Sequence, residues 1–206
     1  MSKSIYSLVL SDEVVAKADE LAYQMHTSRS NLINQILAEH LSCVTPEMRM
    51  QAVFSGMEAM IQQFRILEQA SANMMALQSQ LNYKYKPTVQ YFVELNKSPE
   101  DGRAGILRIR LRTQNPVLIT TLKRFFQTWI SWERDICSIK TEYQLFPGRL
   151  ERVIFNPNVD EETFGQLLGE YVQRFDKYLK AWFSGTEIHQ LEAAFQKEAA
   201  QITNMI

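Results

Sequence analysis

The chain has 206 residues, 46% of them apolar and 22% charged, with 22 Lys and Arg against 23 Asp and Glu. That balance is globular and close to neutral, which excludes disordered and collagen-like classes, and the length allows one large domain or a small one plus a medium one. No apolar run approaches the roughly 18 residues that cross a bilayer, and "MSKSIYSLVLSDE" places acids too early for a secretion signal, so a cytoplasmic location without membrane partners is expected.

Cys43 and Cys137 stand far apart and His26, His40 and His189 are scattered. Neither a disulfide framework nor zinc-ligand spacing arises. Glycine-rich phosphate loops, nucleophile motifs and paired acid/base groups are also missing from the sequence. The expectation is therefore a protein that is not an enzyme, with no catalytic residues, no metal and no cofactor.

In chain order, Ile5 to Leu10 alternates as a strand, with Tyr6, Leu8 and Leu10 on one face and Ile5, Ser7 and Val9 on the other. Ser11 reads as an N-cap, with Asp12 and Glu13 in the first turn of a helix expected to bury Val14, Val15, Ala18, Leu21, Ala22 and Met25. "HTSRSN" breaks this helix at His26, and Ser28 caps a second one with the stripe Leu32, Ile33, Ile36, Leu37 and Leu41. About 45 residues cannot bury enough surface alone, and one strand has nothing to pair with. Antiparallel pairing with a second copy meets both needs, since four helices from two chains then share one core; a homodimer is expected.

The stretch "YSLVLSDEVVAKADELAYQM", a turn, and then "SRSNLINQILAEHL" resembles the ribbon-helix-helix (MetJ/Arc/CopG-like) family of bacterial DNA-binding proteins over about residues 3–42. The resemblance implies a dimeric transcriptional regulator that lays a two-stranded ribbon in the major groove of double-stranded DNA. By position, Lys3, Ile5, Ser7 and Val9 would face the bases. Ser28, Arg29 and Ser30 would hold backbone phosphate through amides and the guanidinium. His26 stands where the family commonly has glycine at a positive φ. Residues 1–45 hold three Lys and Arg against five Asp and Glu, and on the face of Ile5, Ser7 and Val9 only Ser7 has a hydrogen-bonding side chain. These features support a second reading, an assembly protein that uses this unit only to dimerise.

Thr45 and Pro46 open a second domain, giving 1–44 as the ribbon-helix-helix unit and 45–206 as an α+β domain. A helix with Met50, Val53, Phe54, Met57, Ile61 and Phe64 comes first, "FRILEQ" is a candidate strand, and Ser71 is read as the cap of a helix to about Leu81. "TVQYFVELN" and "GILRIRLRTQ" form a hairpin across the loop "KSPEDGRA". Arg108, Arg110 and Arg112 alternate with Leu107, Ile109 and Leu111. The arginines read either as a solvated face paired with Glu94 or as a secondary basic surface for nucleic acid or an acidic partner. Asn115 and Pro116 start a helix, "RLERVIF" is a short strand, and two aromatic-rich helices follow, the first ending at Ser184 and Gly185. The expected fold class is α+β, a sheet of three or four mostly antiparallel strands packed on helices.

Overall fold

A computed structural model describes residues 7–67, 71–137 and 142–200. It divides into two compact units, 1–49 and 50–206, so the division falls a few residues after the 44/45 boundary read from the sequence.

In the first unit, α1 (Asp12–Gln24) and α2 (Arg29–His40) start where their caps place them. The Ser11 hydroxyl accepts from the Val14 amide at 3.5 Å, and Ser28 Oγ accepts from the Asn31 amide at 3.2 Å. α1 ends in a Schellman turn: the Thr27 amide donates to the Ala22 carbonyl, the His26 amide to that of Tyr23, and His26 adopts φ 50°. α2 ends the same way around Ser42, at φ 53°. Within α1 and α2 only Ala22, Leu32 and Ala38 are buried, while Val14, Leu21, Met25, Ile36, Leu37 and Leu41 are exposed. Residues 7–10 carry no strand pairing in the single chain.

The second unit is α+β. α3 (Pro46–Met60) runs across the division, with the Met48 amide bonded to Thr45 Oγ1 as the Thr-Pro start requires. Then come β1 (Arg65–Ile66), β2 (Met74–Gln80), β3 (Thr88–Glu100), β4 (Arg103–Leu111), α4 (Pro116–Asp135), β5 (Tyr143–Phe146), β6 (Arg149–Phe155), α5 (Glu161–Phe183) and α6 (Ile188–Ala199). The six strands form one sheet in the order β1-β2-β3-β4-β6-β5, and all five pairings are antiparallel. The sheet is thus larger than the three or four strands expected.

The segment read as a helix from Ser71 to Leu81 is strand β2. Met, Ala, Leu and Gln are good helix formers, but Met75, Leu77 and Ser79 alternate into the core and both flanks hydrogen-bond to neighbouring strands, so tertiary pairing outweighs propensity. β5, absent from the sequence reading, pairs with β6 across the turn at Pro147 and Gly148. The expected loop "KSPEDGRA" is mostly strand. β3 and β4 close on Asp101 and Gly102 alone, at φ 51° and 74°, the two left-handed positions of a type I′ turn.

One face of the sheet meets the helices. Leu77, Tyr91, Ile109 and Leu150 form one buried transverse row, Met75, Val93, Leu107 and Arg152 the next. Above them Trp129 packs 4.9 Å from Phe175 and 5.2 Å from Phe195, ring centre to ring centre, joining α4, α5 and α6. The Asn115 side chain accepts from the Val117 and Leu118 amides at 2.9 and 3.4 Å, capping α4 as expected. Asn115→Ala should cost about 1 kcal/mol, readable as a lower midpoint in urea unfolding with an unchanged slope.

Candidate nucleic-acid interface

The first candidate surface is the start of α2 with the segment before α1. Lys3 and Ile5 lie outside the described residues. Ser7 and Val9 are exposed. At α2, Ser28 is spent on its own helix as the cap, which leaves the amides of the first turn, including those of Arg29 and Ser30, without an intrahelical acceptor. Arg29 is engaged: its Nε and Nη2 donate to the two carboxylate oxygens of Asp19 on α1, both side chains being about half exposed. A phosphate at this position has to compete with Asp19 for the guanidinium. An exposed pair of this kind is weak, so the exchange is cheap.

The second is the sheet face turned away from the helices. Arg108 and Arg110 share it, as the alternation of β4 predicts, while Leu107, Ile109 and Leu111 are buried. Arg112, the third of the expected trio, follows the last residue of β4, its amide bonded to the Thr88 carbonyl at the start of β3. Arg108 lies 2.9 Å from Glu94 and 3.1 Å from Glu151, so two carboxylates offset its charge.

Strand register reveals what one strand's sequence could not. Arg65, Gln78, Gln90, Arg110, Arg149 and Phe146 are successive ladder partners and make a single row across all six strands. The adjoining row is Ala76, Phe92, Arg108, Glu151 and Gln144. The Arg110 guanidinium sits 4.8 Å from the Phe92 ring centre and donates through Nε to Gln90 at 2.8 Å. Arg149 sits 4.1 Å over Phe146 and 3.5 Å from Glu151.

Two polar clusters lie on the covered face, and neither was foreseen. The Asp176 carboxylate on α5 accepts from Tyr91 at 2.7 Å and from Ser79 at 2.5 Å, and pairs with Lys180 one turn along. Burial, then the Asp176 charge, pushes the Tyr91 hydroxyl well above its usual range, so it stays a donor. On α4, Glu133 accepts from Arg152 at 3.4 Å and from Tyr171 at 3.2 Å, while the Trp129 indole donates to Tyr171 at 3.0 Å. Burial raises the Glu133 carboxyl, and the Arg152 charge works against that rise. Burial together with the Glu133 charge lifts the Cys137 thiol to about 11, which leaves it unreactive as a nucleophile at neutral pH. Both clusters tie helices to strands through satisfied hydrogen bonds, which is the ordinary structural use of buried polar groups.

Among the described residues no group of three His, Cys, Asp or Glu side chains converges as a metal site, and no helix is long and apolar enough to cross a membrane. No family model, curated protein or solved structure matches the chain.

Proposed function

We propose that the chain is a dimeric DNA-binding protein, a transcriptional regulator of the ribbon-helix-helix kind, whose residues 5–10 pair with those of a second copy and enter the major groove. The observation that carries this reading is the helix pair: Ser11 and Ser28 cap α1 and α2, and a left-handed His26 joins them. The exposed stripe of Val14, Leu21, Met25, Ile36, Leu37 and Leu41 supports the dimer, because a second copy of the same stripe would cover it. Lys3, Ile5, Ser7 and Val9 would face bases, and Ser28, Arg29 and Ser30 phosphate.

The test is anisotropy of labelled genomic duplex fragments with the full chain, run from low to moderate salt. Arg29→Ala should weaken binding to all duplex sequences alike and lower the salt slope by about 1, whereas Ser7→Ala should alter sequence preference. Absence of duplex binding at low salt would remove the reading. One observation favours the assembly alternative: residues 1–45 hold three Lys and Arg against five Asp and Glu, a balance that weakens attraction to phosphate. That alternative expects a dimer in solution with no duplex affinity.

A further inference from the structure

We propose that the open face of the sheet in the second unit binds single-stranded nucleic acid, independently of the N-terminal unit. The row Arg65, Gln78, Gln90, Arg110, Arg149 and Phe146 holds three guanidinium groups, two amides and a ring, and no carboxylate. At about 4.8 Å per strand it runs for roughly 24 Å, a straight track of donors long enough for several phosphates of one strand. Arg65 and Arg110 are exposed and Arg149 is partly so. Of the neighbouring carboxylates, Glu94 pairs with Arg108 and Glu151 is shared between Arg108 and Arg149, so four guanidinium groups meet two carboxylates and the surplus positive charge lies toward Arg65 and Arg110.

The rings decide the kind of polyanion. Phe92 and Phe146 are only partly buried, on a sheet face where an aromatic side chain has little core to fill. Each carries a guanidinium, at 4.8 and 4.1 Å from its centre. A nucleobase stacks on an aromatic ring or on a guanidinium plane, so each pair offers a base platform beside a phosphate donor. The carboxylates that make a peptide acidic have no face to stack on those platforms. Duplex DNA hides its base faces, and a six-stranded sheet is too broad for a major groove about 12 Å wide.

The probe is a fluorescein-labelled oligothymidylate of about 16 nucleotides, the upper end of common single-strand footprints, titrated with the full chain by anisotropy across a salt series. Wild type should bind at low salt. Replacing the row's arginines together, Arg65→Gln, Arg110→Gln and Arg149→Gln, should cut the salt slope by about 2. Phe92→Leu and Phe146→Leu should each weaken binding by about fivefold to a hundredfold while leaving the slope in place. The arginine and phenylalanine replacements should lower oligothymidylate affinity by the same factors in an Arg29→Ala background, which separates this face from the duplex reading above. Circular dichroism and thermal melting check that each variant folds, and the single change Arg65→Gln on the outermost strand serves if the triple variant does not.

The proposal is overturned if wild type does not bind the probe at low salt, or if the arginine replacements leave affinity and slope unchanged. It is also overturned if the phenylalanine replacements have no effect and heparin competes as well as oligonucleotide, since the face is then a general polyanion surface.

Discussion

Gly165→Ala is expected to destabilise the second unit by about 2 kcal/mol or more, although alanine is the better helix former by about 1 kcal/mol. The reason lies where α3 crosses α5. A Cβ on Gly165 would stand 2.0 Å from the Val53 carbonyl oxygen and 2.8 Å from the Met57 amide nitrogen. Both are backbone atoms of α3, so relief requires the whole helix to move, not a side chain to turn. A Cβ on Gly56 would in turn stand 2.4 Å from the Glu162 carbonyl oxygen, so the close approach is used from both sides. Displacing α3 also disturbs Met50, Val53, Phe54 and Met57, all buried, and the hydrogen bond from the Gln173 side chain to the Met60 carbonyl. The measurement is a thermal melt, where a drop of at least about 4 °C is expected for a domain of this size. Gly185→Ala is the contrast: its φ is +82° and nothing lies within 4 Å, so the loss should stay near 1 kcal/mol, from backbone strain alone.

Local chemistry written within a few residues was legible in the sequence. Ser11, Ser28, Thr45 and Asn115 cap the helices they were expected to cap, and Leu107, Ile109 and Leu111 point inward against Arg108 and Arg110. β2 was not legible, because "MMALQSQ" scores well as a helix by propensity and only its two neighbours, β1 and β3, make it a strand. The row of Arg65, Arg110 and Arg149 was hidden for the same reason: its members are 45 and 39 residues apart in the chain and meet only through register. The buried carboxylates were hidden too. Glu133 and Asp176 look like single acids on aromatic helices, and their partners Arg152, Ser79 and Tyr91 arrive from other strands. A signal for Arg152 did exist, since Leu150, Arg152 and Ile154 alternate and the flanking pair is plainly apolar.

That buried pair supplies the second large effect, with opposite pH signatures for its two halves. Glu133→Ala takes away the carboxylate that pairs with the buried Arg152 guanidinium, which is 1% exposed and keeps its proton at any ordinary pH. The cost should be about 3–5 kcal/mol. Arg152→Met instead leaves a carboxyl that can discharge by taking up a proton, held by Tyr171. The sign follows from where each state binds that proton. Burial raises folded Glu133 above its ordinary 4.5, so wild type loses stability as pH climbs from there to the folded value. The Ala variant has no such group, and its deficit relative to wild type should narrow over that interval. In the Met variant the opposing charge of Arg152 is gone and the folded value rises further. Its deficit should therefore widen once pH passes the wild-type folded value, by up to about 1.4 kcal/mol per pH unit. Urea unfolding followed by tryptophan fluorescence, at acidic and at neutral pH, reads both slopes. Parallel slopes in the two variants would mean that Glu133 and Arg152 do not share a proton equilibrium, and that the cluster holds α4 to β6 by packing alone.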